Sequence, residues 1–446
     1  MFQLLSLKKK LTNVLDNTLN RVKHTLKLYN EIFLFLTAVK RSSKAQLQSP
    51  TYYVVIASDF LPTIHGGIYR PLSWLQLAAI HDVCVELLTN TPKRINTVGK
   101  LMTSDSLISN KIHYCDESEF QLFSRPSRVI ISRPEFLLAA LLRLEQMHKA
   151  KQISHIIATG PDFSSFVIAA MFAQKHDVRL HLDYRDEWTQ SPFEFSQPTF
   201  LAKILEKACV SHADSISMTT QSQMNNFKRH FRENTPLFLR QNGCDNFPER
   251  ASGQLSSIEE LRLCHSGSIG GHNSLEQVLF LFNELSPKIH ASGRTLHLTF
   301  CGSIAENQLS LISMASKFKI TTFGQLTPEQ AFTHSSEADL CLLLIDHRYE
   351  RYLPGKLFGY IATGNPILII GAESSTEISS LCNEFEIPHF FADCKTVDTN
   401  ACADFILNAR SNKTAPAQLI RFRESMDRQQ LAKEFFEIFN NDTTNV

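Results

Sequence analysis

The chain has 446 residues, with 45 Lys and Arg against 44 Asp and Glu, and 43% of it is hydrophobic. Two domains fit that length at the usual ~100–200 residues each; the hydrophobic share excludes a disordered chain, and the even charge excludes a protein that coats nucleic acid. Wholly apolar runs such as 32–36 and 341–345 are far shorter than the roughly 18 residues of a spanning helix. Lys8–Lys10 is not followed by the apolar core of a secretory signal, so a soluble, cytoplasmic protein is expected. Ten cysteines occur without a CxxC pair, and Cys84, Cys264, Cys301 and Cys341 lie in or beside apolar runs, as free thiols in a reducing compartment do. The histidines show no HxxxH or HExxH spacing, so no metal is expected.

Residues 1–46 hold nine Lys or Arg against two acids, a net +7, so the other 400 residues carry −6. Leu15, Leu19, Val22, Leu26, Tyr29, Phe33 and Leu36 recur at alternating steps of four and three, which puts all seven on one face of a helix. Such a face packs on its own protein, pairs in a short coil, or lies as a basic amphipathic helix on an anionic membrane. On the last reading, residues 1–46 make a peripheral contact with the inner face of the cell membrane. The segment 1–50 reads as a helical extension.

From Tyr52 the pattern changes to short apolar runs alternating with helix-length stretches. Strands are predicted over Tyr52–Ala57, Val83–Leu88, Val129–Ser132, His155–Thr159, Arg179–Asp183, Ser215–Thr219 and Leu237–Arg240. Helices are predicted between them over Ile68–Ile80, Glu135–His148, Ser164–His176, Leu201–His212 and Gln223–Phe231. A second series has strands over Leu261–His265, Thr295–Cys301, Leu340–Ile345 and Pro366–Ile370. Its helices are Leu275–Leu285, Glu306–Phe318, Pro328–Ser336, Lys356–Thr363 and Thr376–Phe385, and Pro416–Phe439 reads as a terminal helix or helix pair. This alternation predicts an α/β chain of two doubly wound parallel sheets, one in 51–245 and one in 258–410. Asn246–Ser257 is the linker and 411–446 a helical tail.

Each half opens with a strand, a glycine-bearing turn and a helix: His65-Gly66-Gly67 in the first, Ser266-Gly267-Ser268-Ile269-Gly270-Gly271 in the second. Glycine lets the main chain approach a ligand, and a following helix N-terminus offers free N–H groups, a combination that suits phosphate as well as a purely structural turn. Two such turns suggest a diphosphate-bearing ligand in a cleft between the halves. GxGxxG and GxxxxGK[ST] are absent, which excludes the nicotinamide fingerprint and the P-loop.

Several segments, in order, resemble family 4 glycosyltransferases of the GT-B fold. Pro62…Gly66-Gly67…Arg70 is similar to the family's opening, and Asp183-Tyr184-Arg185-Asp186-Glu187-Trp188 to its D-x-R-D-x-W region. Asn242-Gly243-Cys244-Asp245 resembles its NGxD, and the run from Pro354 to Pro366 its P-x-K-x-x-E-Y-x-A-x-G-x-P segment. The resemblance spans about 52–410. It implies two Rossmann-like domains facing a cleft, the acceptor mainly on the first and the donor on the second. The implied activity is transfer of a sugar from a nucleotide-sugar to a polysaccharide or lipid-linked acceptor in surface-glycan synthesis, with retention and without metal. No cofactor is implied, because the nucleotide-sugar is a substrate, and nucleic acid is not a partner.

On the same resemblance, Asp186, Arg185 and Lys356 stand at the reaction centre. Gly66, Gly67, Gly267, Ser268, Gly270, Lys356, Leu357 and Glu350 serve the donor and its phosphates, and Arg70 and Trp188 the acceptor. Read from the residues alone, Lys356 is equally a solvated lysine, Arg185 and Asp186 an ion pair anchoring their loop, Trp188 a packing residue and Arg70 a surface cap. Two departures stand out: the family's paired glutamates correspond to Arg351 and Gly359, with Glu350 the nearest acid, and Ser268 and His272 stand where cations often serve the diphosphate. The resemblance therefore implies a glycosyltransferase or, alternatively, a weakened GT-B binding subunit that meets a partner through its N-terminal helix. A sugar-nucleotide epimerase ranks third.

Overall fold

A computed structural model describes residues 2–38, 51–81, 83–92, 105–123, 131–192, 199–231, 234–245, 259–270, 275–314, 317–393 and 395–441, with side chains from residue 12 to residue 437. Two compact units emerge, Met1–Arg240 with Ala432–Val446, and Gln241–Leu431. The expected linker at 246–257 lies outside the described residues.

The first unit is a seven-stranded parallel sheet, β1 (Tyr52–Ala57), β2 (Cys84–Asn90), β3 (Ile112–Cys115), β4 (His155–Gly160), β5 (Arg179–Tyr184), β6 (Ser215–Met218) and β7 (Leu237–Leu239), in the order β3-β2-β1-β4-β5-β6-β7. Every residue of β1 and β4 is buried, as a sheet covered by helices on both faces requires. One face packs on the helices Pro134–Ala150, Ser164–His176 and Phe200–His212, and the other on Tyr69–Ile80 and the last helix, Arg428–Asn441. Phe435 of that last helix stacks on Trp74 at 4.6 Å and Phe436 meets Tyr53 edge-on at 5.0 Å. The second unit is a six-stranded parallel sheet, β8 (Glu260–Ser266), β9 (Thr295–Cys301), β10 (Lys319–Gly324), β11 (Leu340–Leu344), β12 (Ile367–Ile370) and β13 (His389–Ala392), in the order β10-β9-β8-β11-β12-β13.

The expected helical tail is not peripheral where it is described, over 411–441. Phe422 and Met426 lie in the core of the second unit, while Ala432, Phe435 and Phe436 lie in the first. Cys244, read with the first half, belongs to the second unit, where its N–H donates to the Met426 carbonyl at 2.8 Å.

Four strands differ from expectation. β3, β10 and β13 were not read as strands, and Val129–Ser132 is not one where described: 129–130 lie outside the described residues, and Ile131 and Ser132 are not in a strand. The predicted helix Glu306–Phe318 stops at Leu309 and tightens into a 3₁₀ turn over Ser310–Met314.

The N-terminal helix, Phe2–Thr37, turns a different face inward from the one its heptad spacing marks. Thr25, Leu28, Ile32 and Phe35 are buried, whereas Leu15, Leu19, Val22, Leu26 and Phe33 are exposed and Tyr29 and Leu36 half-buried. The helix is held by Thr25 Oγ1 and His24 Nδ1, which accept from the Phe123 and Gln121 N–H groups at 3.2 and 3.0 Å, and by Phe35 against His212. A second apolar line along the same helix thus makes the core contact. Among the described residues, no helix is long and apolar enough to cross a membrane.

Candidate functional site

Each sheet reverses its strand order once, between β1 and β4 in the first unit and between β8 and β11 in the second. Open α/β sheets bind ligands outside the carboxyl ends of the strands at such a point. Both glycine turns leave from the strands that flank these switch points.

In the first unit the loops after β1, β4 and β5 meet there. His65 accepts the Gly67 N–H on Nδ1 at 3.1 Å, and burial together with the Arg185 charge lowers its pKa and keeps the ring neutral. Arg185 lies across the turn, donating from Nε to the Gly160 carbonyl at 2.8 Å and from Nη2 to that of Pro161 at 2.9 Å. A Cβ on Gly67 would overlap this guanidinium, so the glycine is what lets the arginine sit there. Gly66 is exposed, with open space beside it. Asp186 has no hydrogen-bond or ion partner among the described residues; burial pushes its carboxyl up, partly offset by Arg185. Arg133 bridges the loops by pairing with Asp59 and approaching Asp162 at 3.5 Å.

Trp188 stacks on Phe163 at 5.1 Å with the rings 6° from parallel, so its large face packs the loop. Glu206, from the helix Phe200–His212, anchors the same loop. It accepts from the Thr189 N–H at 3.2 Å and the Tyr184 hydroxyl at 3.1 Å, and burial raises its pKa to about 7. Arg70, expected on the acceptor side, is buried. Its Nη1 donates to Asp183 Oδ1 at 2.5 Å and its Nη2 to the Arg240 carbonyl at 2.7 Å. Strand register explains the site: Thr159, Asp183 and Ser217 are paired across β4, β5 and β6, so both hydroxyls donate to the carboxylate at 2.8 Å. Burial alone would push Asp183 up, but the Arg70 charge and these donors hold it below the usual carboxylate range. Arg70 is thus a positioning group beneath the loops.

In the second unit β8 runs straight into its glycine turn, which continues to pair with the chain after β9. The Gly267 N–H donates to the Cys301 carbonyl at 2.8 Å and the Ile269 N–H to that of Ser303 at 2.9 Å. The intervening Ser268 N–H takes no acceptor among the described residues. Gly267 has φ +133° and Gly270 φ +140°, conformations that favour glycine. Tyr360 clamps the start of the turn, its hydroxyl accepting the Ser266 N–H at 2.7 Å and donating to the Ser266 carbonyl at 3.2 Å. Lys356 opens the helix Gly355–Thr363, half-buried and without a hydrogen-bond or ion partner among the described residues, and burial lowers its ammonium pKa to about 8.

His265 donates from Nδ1 to the Leu342 carbonyl at 3.0 Å, leaving a buried Nε2 with no partner, and burial beside Lys356 keeps the ring neutral. A methyl placed on Gly267 would lie 3.6 Å from Lys356 Nζ and 3.7 Å from His265 Nε2, so both line one spot at the turn. Leu357, expected at the donor, is wholly buried in the core. Glu350 is exposed in the 3₁₀ turn His347–Arg351. Gly359 follows Lys356 by three residues on the same helix, and a Cβ there would meet nothing within 4 Å. Gly271 and His272 lie outside the described residues. Sequence reasoning assigned no site role to His65, Asp59, Arg133, His265 or Tyr360. Of these, Tyr360 was detectable, four residues beyond Lys356 on a predicted helix.

No protein-family model matches the chain, and no curated protein does. Solved structures do. Sucrose-phosphate synthase from Thermosynechococcus elongatus is 14% identical, with 89% of this chain and 100% of that one covered at a TM-score of 0.61. Anabaena HepE, in complex with UDP and glucose, is 11% identical, with 87% and 99% covered at 0.58. UDP-GlcNAc 2-epimerase from Methanocaldococcus jannaschii is 8% identical, with 88% and 99% covered at 0.56. At these identities the likeness establishes the fold: the chain has the GT-B architecture of two Rossmann-like parallel-sheet domains.

Proposed function

We propose that the chain is a glycosyltransferase that moves a sugar from a nucleotide-sugar to a glycan or lipid-linked acceptor, as in surface-polysaccharide synthesis. The observation that carries this reading is the half-buried, unpaired Lys356 ammonium beside the Gly267 turn, at the switch point of the second sheet. A half-buried cation with no counter-ion calls for an anion, and a leaving diphosphate has the charge to supply one. Lys356 and the Ser268 N–H neutralise that charge as the sugar–phosphate bond breaks, without a metal. Transfer retains anomeric configuration, as the family resemblance implies, and no covalent nucleophile is assigned. The acceptor occupies the end of the first sheet, where Asp186 supplies a free carboxylate and Arg185 holds the Gly66-Gly67 turn in place. Titration with uridine, guanosine and adenosine diphosphates, with Lys356→Ala as control, tests the site. A donor panel with membrane extract then tests turnover, and the reading requires nucleotide release only when acceptor is present.

A second reading, a GT-B binding subunit without turnover, is favoured by Gly359. It offers no acceptor group where the family resemblance places a ribose-binding glutamate, and the space beside it is open. That reading predicts no turnover with any donor, while Gly359→Glu tightens nucleotide binding.

A further inference from the structure

We propose that the N-terminal helix docks this protein on an anionic phospholipid surface, with Leu15, Leu19, Val22, Leu26 and Phe33 entering the lipid. These residues are 67, 53, 39, 62 and 65% exposed, and their spacing aligns them along one side of a single helix. The helix is not a loose arm, because Leu28, Ile32 and Phe35 fix its C-terminal half to the first unit on a different face. One apolar line is therefore spent on the core while the other faces outward. Charge identifies the occupant. Residues 1–46 carry +7 on a chain of net +1, and Arg21, Lys23 and Lys27 are exposed without ion-pair partners among the described residues.

A basic helix with an apolar outer stripe matches a surface that is negative at the headgroups and apolar below them. A paired coil with a second copy fits less well. Tyr29 and Leu36 of the heptad line are half-buried on the helix's own unit, Thr25 and Ile32 beside it are buried there, and two copies would set +7 against +7. The helix Phe200–His212, which Phe35 meets through His212, repeats the composition on its own outer face: Phe200 is 81% and Ile204 37% exposed, with Lys203 and Lys207 exposed beside them.

The test is co-sedimentation of the full chain with vesicles of phosphatidylcholine alone or mixed with phosphatidylglycerol. Wild type should pellet with the anionic vesicles, stay in solution with neutral ones, and be released by salt. Leu15→Gln/Leu19→Gln/Leu26→Gln should abolish pelleting. Arg21→Gln and Lys23→Gln should each weaken it about fivefold, following ~1 kcal/mol per basic residue at such a surface. All of these positions are exposed, so melting temperature should not change, and neither should any nucleotide-induced thermal shift, which keeps this test apart from the donor-site reading. The proposal is overturned if wild type ignores anionic vesicles, if the triple variant pellets undiminished, or if wild type sediments as a dimer that the triple variant converts to monomer.

Discussion

Replacing Arg70 by methionine separates a structural arginine from a ligand-binding one. In the wild type the Arg70 side chain is 9% exposed and the Asp183 side chain 0%, and the carboxylate takes three donors: Arg70 Nη1, Thr159 Oγ1 and Ser217 Oγ. Arg70→Met leaves two hydroxyls on a buried negative charge and removes the Arg240 carbonyl's partner. Breaking one side of a buried pair costs about 3–5 kcal/mol. For a unit of this size each kcal/mol lowers Tm by about 2–4 °C, so the first unit should melt about 6–20 °C lower.

The pH dependence follows from the depressed Asp183 pKa. In wild type its stabilising contribution is present above the unfolded carboxylate pKa and disappears as pH falls through the lower folded value. Without Arg70 the folded carboxyl protonates more readily, so the deficit of the variant should shrink toward pH 4. Urea denaturation followed by circular dichroism, from pH 4 to 8, measures both effects. Arg70→Met/Asp183→Asn should recover part of the loss, since no buried charge remains. If Arg70→Met unfolds within about 1 kcal/mol of wild type while the acceptor KM rises, Arg70 is a binding residue and the structural reasoning fails.

Lys356→Ala should weaken nucleoside diphosphate binding roughly 10- to 100-fold, the range of a charge-assisted hydrogen bond, in calorimetric titration. Because the free ammonium titrates at about 8, wild-type affinity should decline as pH rises above that value, and the alanine variant should lose the dependence. Gly359→Ala should stabilise the second unit by about 0.5–1 kcal/mol, because the helix interior gains a better former and the added Cβ meets open space, and a scanning calorimeter should show a higher melting temperature. Glu206 has a folded pKa raised to about 7, so the stability tied to its protonated form is present below the unfolded carboxylate pKa and lost as pH rises through 7. Glu206→Gln should therefore gain about 1–3 kcal/mol relative to wild type above pH 7, with little gain near pH 4, in paired urea titrations.

The central strands were legible because each carries a run of apolar residues, and β1, β4, β11 and β12 are buried along their whole length. The strands missed, β3, β10 and β13, are all sheet edges with a single neighbour, and none of their residues in IHYC, KITTFG and HFFA forms a long buried run. An edge needs only one side of pairing and little burial, so its sequence carries little periodic signal. Of the candidate site, the parts legible in the sequence are local in the chain, as are the Gly267 turn and Lys356 at a helix start. The site was not legible where partners are far apart: Arg70 meets Asp183 across 113 residues of chain, and only the sheet brings them together. The N-terminal helix shows a third case. Its heptad spacing marked a true apolar face, but sequence could not tell which of two apolar lines the core would take.

The buried Arg70–Asp183 pair also guards the alignment of the first sheet. Along β5, Leu180, Leu182 and Tyr184 join one core while His181 and Asp183 point the other way, toward the helix that carries Arg70. Sliding β5 by a single residue against β4 would drive the carboxylate into the aliphatic and aromatic packing around Phe166 and strand the guanidinium opposite leucine. Because polar and apolar side chains alternate along β5, a shifted register would put His181 and Asp183 among aliphatic neighbours with no partners, which makes the mis-threaded sheet unfavourable.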